Sequence, residues 1–209
     1  MLGGGTIKLD IVINGVGGQG VVLASRIIAQ TAMKNGWQVR TSETHGMAQR
    51  GGSVTSHVRI GENLFGALIP NGTADILLSF ELAETVRGLE KLKAGGKIIA
   101  SSARVVPVLA AMGKTRYSDQ EILQYLKKQP YDLTLVDAHD LALKAGHHKA
   151  ANMVLLGVLA AQKLPFAGDE LLNTALELLP PKLHEVNAKA FYLGKQAGEG
   201  YYGNAAATS

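Results

Sequence analysis

A glycine loop set between a β-branched run and an amphipathic stretch limits the folds open to this chain more than any other feature. Leu9 to Asn14 places Ile11, Val12 and Ile13 in succession, as a buried strand does. Gly15-Val16-Gly17-Gly18-Gln19-Gly20 follows and satisfies G-x-G-x-x-G. From Val21 to Lys34, Leu23, Ile27, Ile28 and Met33 recur at helical spacing, and Asn35-Gly36 ends the pattern. Trp37 to Thr41 predicts a second strand. A strand, glycine turn, helix and strand in this order start a parallel sheet with a right-handed crossover. In such a turn Gly15 is expected to permit the bend, Gly17 to let a phosphate near the backbone, and Gly20 to let the helix pack closely. The helix amino end offers unpaired N–H groups and a positive dipole, which suit an anion. The same glycines also suit a turn needed only for packing, and the motif names no nucleotide.

The remaining pattern extends the α/β reading. Ser53 to Ile60 alternates strictly, so it is expected to be a half-exposed antiparallel or edge strand, with His57 solvated or at an interface. Ile76 to Phe80 predicts a buried strand, Glu81 to Leu92 a helix, and Lys97 to Ala100 a strand. Ser118 and Glu121 form a capping box, Leu133 to Val136 is strand-like, and Asp137 suits a helix cap. Helices are expected over 150–164, 169–179 and 182–196, the first apolar on nearly every side. The sequence therefore predicts one α/β, Rossmann-like domain: a mostly parallel sheet flanked by helices, at least one antiparallel or edge strand, and a helical C-terminal third. A flexible start (1–8), a domain over 9–197 and a loose tail (198–209) complete the expectation.

Composition removes whole classes of chemistry. With no cysteine, the chain has no disulfide, thiolate nucleophile or cysteine-ligated iron–sulfur cluster of its own. The net charge of +4 is spread along the chain, which argues against nucleic acid and suits small anions. No apolar run serves as a signal peptide or a membrane span, so a cytoplasmic protein without membrane contact is expected.

A second chemical segment begins at Glu43, where a dinucleotide enzyme would place its ribose-binding acid. It continues through His45, Gln49, Arg50, Gly51, Gly52 and Ser53. The guanidinium of Arg50, the directed hydrogen bonds of His45 and Gln49, and the bare backbone of Gly51-Gly52 could form an anion-contacting wall opposite Gly15, Gly17, Gly18, Gln19 and Gly20. An Arg50–Glu43 contact that orders a surface loop fits equally well. His139, His147 and His148 lie near Asp137 and Asp140, but a polar helix surface explains them more simply than a metal, and no metal site is assigned. Glu81 is expected to cap a helix. No catalytic residue is assigned.

The runs GVGGQGVVLASRIIA and SETHGMAQRGGSVTSHVRIG resemble the gamma domain of 2-oxoacid:ferredoxin oxidoreductases, most of all its indolepyruvate-type small subunits. The resemblance continues through Asp75-Ile76-Leu77-Leu78-Ser79-Phe80-Glu81, Asn152 to Gly157 and Glu185 to Phe191, and so covers residues 9 to about 198. It implies a subunit of an enzyme that oxidatively decarboxylates a 2-oxoacid on thiamine diphosphate. Electrons then leave through [4Fe–4S] clusters to ferredoxin, and the acyl group passes to coenzyme A. The resemblance places thiamine and clusters on a large alpha subunit, with ferredoxin an indirect partner, and leaves the isolated chain inactive and free to form a homodimer. Coenzyme A phosphates at the glycine loop and Arg50 are a reading of the residues themselves. An independent NAD(P)-dependent dehydrogenase and a non-catalytic nucleotide or coenzyme A sensor remain alternatives.

Overall fold

The computed structural model describes residues 8–45, 52–103 and 118–206. The described residues form a mixed α/β domain around one six-stranded sheet in the order β2-β3-β1-β4-β5-β6. Its strands are β1 (Lys8–Val16), β2 (Gln38–His45), β3 (Ser53–Gly61), β4 (Ala74–Ser79), β5 (Leu92–Ser101) and β6 (Asp132–Val136). β1, β4, β5 and β6 pair in parallel, while β3 runs antiparallel to both β1 and β2. The seven α-helices among the described residues are α1 (Val21–Lys34), α2 (Leu82–Gly88), α3 (Asp119–Lys127), α4 (Ala138–Ala145), α5 (Ala151–Ala160), α6 (Glu170–Leu178) and α7 (His184–Ala206).

The two sheet faces are covered unequally. Ile11 and Ile13 of β1, Ile76 and Leu78 of β4 and Ile99 of β5 face a large core built with α1, α4, α5, α6 and α7. The alternate residues Val12, Leu77 and Ile98 enter a smaller core on the α2 side. The apolar-all-round α5 is entirely enclosed, which its sequence anticipates: every residue from Asn152 to Ala160 is buried. Three helix caps follow their sequence signals. Glu81 Oε2 takes the Glu84 N–H at 2.9 Å, Ser118 Oγ that of Glu121 at 3.4 Å, and Asp137 Oδ1 that of Asp140 at 2.9 Å.

Four expectations need correction. β2 is not the neighbour of β1, because β3 inserts between them. β3 is antiparallel as its alternation suggests, yet it is neither an edge nor half exposed. Its polar face is covered by the 62–73 loop, so Arg59 and His57 are buried. Arg59 tolerates burial because Nε and Nη2 reach both oxygens of buried Asp10, at 2.9 and 3.3 Å, while Nη1 donates to the Phe65 carbonyl at 2.9 Å. His57 is therefore not solvated: its Nδ1 accepts the Ile69 N–H at 3.3 Å. Lastly, α7 runs His184–Ala206, beyond the helix end expected at Gln196. Residues 1–7 of the expected flexible start lie outside the described residues.

Candidate functional site

β1 closes at Val16 and α1 opens at Val21, so the loop proper is Gly17 to Gly20. Gln19 fixes its shape. Its Oε1 accepts the Val16 N–H at 2.7 Å, its Nε2 donates to the Phe80 carbonyl at 3.3 Å, and its own N–H returns to the Val16 carbonyl at 3.1 Å. The glycines divide the work differently from the sequence pattern. Gly15 lies within β1 and is needed for packing: a Cβ there would sit 2.7 Å from Val21 Cγ2 and 2.9 Å from Phe80 Cβ. The turn itself falls to Gly18 (φ 97°) and Gly20 (φ 89°), in the left-handed region that favours glycine. A Cβ at Gly20 would also meet Asn152 Nδ2 at 2.9 Å, so this glycine fits the loop against α5. The Gly17 N–H is already given to the Gly52 carbonyl at 2.9 Å. Gly18 has nothing within 4 Å of its Cβ direction and is the open backbone position.

That Gly17–Gly52 hydrogen bond joins the two segments singled out from the sequence. Of the second segment, Glu43 is exposed and its Oε1 accepts the Ser25 hydroxyl of α1 at 3.3 Å. His45 ends β2, and its side chain is not among the described ones. Gln49, Arg50 and Gly51 lie outside the described residues. Ser53 faces the α2 side, where its Oγ donates to Glu84 Oε2 at 2.6 Å. The structure thus gathers Gly15, Gly17, Gly18, Gln19, Gly20 and Gly52, sets Glu43 beside α1, and turns Ser53 away.

A cleft of about 250 Å³ opens at the carboxyl ends of the parallel strands, where open α/β sheets take their ligands. Gly18 and Gln19 follow β1, Phe80 follows β4, Ser101 ends β5 and Ala138 follows β6. Its far wall carries His139 from α4, with His148 and Lys149 from the turn before α5; Phe80 and Leu155, both buried, lie at its floor. Among the described residues no carboxylate lines it. α1 presents its amino end with no side-chain cap and no acidic residue in the first turn, so the positive end of its dipole is unopposed there. The far wall is not legible in the sequence, which offers His139 and His148 only as metal-ligand or surface candidates. Among the described residues no group of side chains suits a metal ion. The available signal was Asp137: a cap directly after a parallel strand places the next helix start at the ligand edge of the sheet.

Residues 10–197 match the family described as pyruvate ferredoxin/flavodoxin oxidoreductase. The chain is 37% identical over 195 residues to the indolepyruvate oxidoreductase subunit IorB of Pyrococcus horikoshii, covering 92% of this chain and 96% of that one. It is 30% identical over 184 residues to the pyruvate/ketoisovalerate oxidoreductases common subunit gamma of Thermococcus kodakarensis, covering 87% and 92%. The crystal structure of the keto/oxoacid ferredoxin oxidoreductase gamma subunit from Geobacter sulfurreducens matches with a TM-score of 0.67 at 25% identity, over 91% of this chain and 98% of that one. These relatives are all subunits of oxidoreductases. With nearly its whole length matched and the glycine loop seated at the ligand edge of the sheet, the chain belongs to the pyruvate ferredoxin/flavodoxin oxidoreductase family, among its small IorB- and gamma-type subunits.

Proposed function

We propose that this chain serves as the cluster-free small subunit of an oxidoreductase for an aryl 2-oxoacid of the indolepyruvate kind, holding the phosphates of coenzyme A beside a partner's active centre. The overall reaction converts the 2-oxoacid and coenzyme A thiol to acyl-CoA, carbon dioxide and a proton, and delivers two electrons to ferredoxin. A chain with no cysteine cannot ligate [4Fe–4S] clusters through thiolates. As the family resemblance implies, the clusters and thiamine diphosphate belong in this reading to a large partner subunit, and no redox or carbanion step is assigned to this chain. Its own part is to close the centre and grip the carrier.

The observation that carries this reading is the 2.9 Å hydrogen bond from Gly17 N–H to the Gly52 carbonyl. It joins Gly52, two residues past Arg50 in the sequence, to the loop that opens α1, which supports an anion pocket shared by the two segments. Replacing Arg50 with alanine in the assembled enzyme should raise KM for coenzyme A about tenfold, the scale of one charge-assisted hydrogen bond, and leave kcat alone. An unchanged KM removes Arg50 from the site. The dehydrogenase alternative would place Glu43 on a ribose, whereas that carboxylate takes the Ser25 hydroxyl. Calorimetric titration with NAD, NADP and coenzyme A separates these readings, with binding expected for coenzyme A alone.

A further inference from the structure

The loop 62–73 divides its apolar side chains between core and solvent. Leu64 and Ile69 are buried, whereas Phe65 is 88% and Leu68 61% exposed. The loop backbone is held in that shape. Arg59 Nη1 donates to the carbonyls of Phe65, Gly66 and Leu68 at 2.9, 3.4 and 3.4 Å. The Ile69 N–H goes to His57 Nδ1 at 3.3 Å, Lys91 Nζ reaches Asn71 Oδ1 at 2.6 Å, and the Gly72 N–H meets the Glu90 carbonyl at 2.9 Å. An apolar knob fixed in this way loses little conformational freedom when a partner covers it. Beside it lies a hollow of about 510 Å³, lined by Asn35, Gly36, Trp37 and Gln38 from the turn between α1 and β2 and by Glu62 and Asn63 of the loop itself. Trp37 is half-buried and its Nε1–H already donates to the Pro165 carbonyl at 3.1 Å, so the rest of the ring needs no polar partner.

We infer that two copies of this chain pair at this end about a two-fold axis, Phe65 of each seated in the Trp37 hollow of the other. Three observations agree. A projecting aromatic side chain and an aromatic-lined hollow on one surface give the self-complementarity that a two-fold contact demands. Two like copies of a chain with a net charge of +4 repel each other, yet the cations around the knob are already neutralised. Arg59 and Lys8 hold Asp10 at 2.9 and 3.0 Å, and Lys93 pairs with Asp75. The loop leaves β3 at Gly61, which pairs with Lys8 at the start of β1, whereas the cleft opens at the carboxyl ends of the parallel strands. Pairing here therefore leaves both clefts open. The inference is independent of the coenzyme A reading, which concerns the other end of the sheet.

Trp37 is the only tryptophan in the chain, so its emission reports on the hollow directly. Sedimentation equilibrium of the purified full chain should give a dimer, and Trp37 emission should shift to the red as dilution dissociates it. Phe65→Asp should raise the dimer dissociation constant at least about thirtyfold, the effect of losing one dominant interface side chain, and move the emission change to correspondingly higher concentration. Leu143→Asp, at an exposed leucine on α4, should leave both readings unchanged. Circular dichroism checks that each variant folds. A wild-type chain that stays monomeric, or a dimer that Phe65→Asp leaves intact, overturns the inference. A monomer whose Phe65→Asp variant no longer assembles with a large partner chain also overturns it and gives the knob to that chain.

Discussion

The imidazole of His57 accepts the Ile69 N–H at Nδ1, which leaves the ring proton on Nε2. Burial lowers its pKa below the ordinary 6.5, and the charges of Lys91 and Arg59 add to the shift. Protonating Nδ1 would also set two N–H groups against each other. The sign follows from linkage: below pH 6.5 the unfolded chain takes up a proton that the folded chain refuses. His57 therefore contributes its full stability above that value and loses it as the pH falls. Urea midpoints should fall from about pH 7.5 to about pH 5.5, and His57→Gln, which keeps an acceptor for Ile69, should flatten that part of the slope. An equal slope in the variant would assign the pH dependence elsewhere. Alternation in the sequence put His57 and Arg59 on one polar face correctly. It gave no sign that Asp10, 49 residues away in the chain, would neutralise Arg59 and let the loop close over both.

The helices α5 and α7 pack backbone against backbone in the large core. A Cβ on Gly157 would lie 2.0 Å from the Phe191 carbonyl oxygen, and one on Gly194 would lie 2.0 Å from that of Val154. These are backbone atoms, so a methyl group can be admitted only by moving a helix. Gly194→Ala should cost about 2–3 kcal/mol in chemical denaturation, against the usual gain of alanine over glycine in a helix. Gly200, on the same helix with open space at its Cβ direction, provides the control. Gly200→Ala should be neutral or stabilise by up to about 1 kcal/mol. Equal effects at both sites would mean that close approach is not what Gly194 serves. The helices themselves were legible from apolar periodicity, caps and Asn-Gly or Pro-Pro stops. Which helix met which was not, since a glycine in a helical pattern looks the same whether it faces a backbone or solvent.

At the scale of the whole molecule, the sheet separates two ends with different tasks. The carboxyl ends of the parallel strands carry the glycine loop and cleft. The opposite end carries the 62–73 loop, pinned by Arg59 and exposing Phe65 and Leu68. No helix among the described residues is long and apolar enough to cross a membrane. The purified chain alone should reduce no ferredoxin with any 2-oxoacid. Co-expression with a thiamine- and cluster-binding large chain should convert it to a heteromer with 2-oxoacid-dependent ferredoxin reduction. Turnover by the isolated chain would overturn its role as a dependent subunit.

By itself the sequence determined the α/β class, the glycine turn at the mouth of α1, most helix limits and the exclusion of thiolate-bound clusters. These follow from local causes: side-chain period, the conformations open to glycine, the reach of a capping oxygen, and an element that is simply missing. The insertion of β3 between β1 and β2, the burial of His57 and Arg59, the reassignment of Gly15 from turn to packing, and the far wall of the cleft were decided only by tertiary structure. Each depends on which distant residue arrives opposite. That is set by the shared minimum of strand pairing, core packing and charge neutralisation over the whole chain, and no window of neighbouring residues contains it.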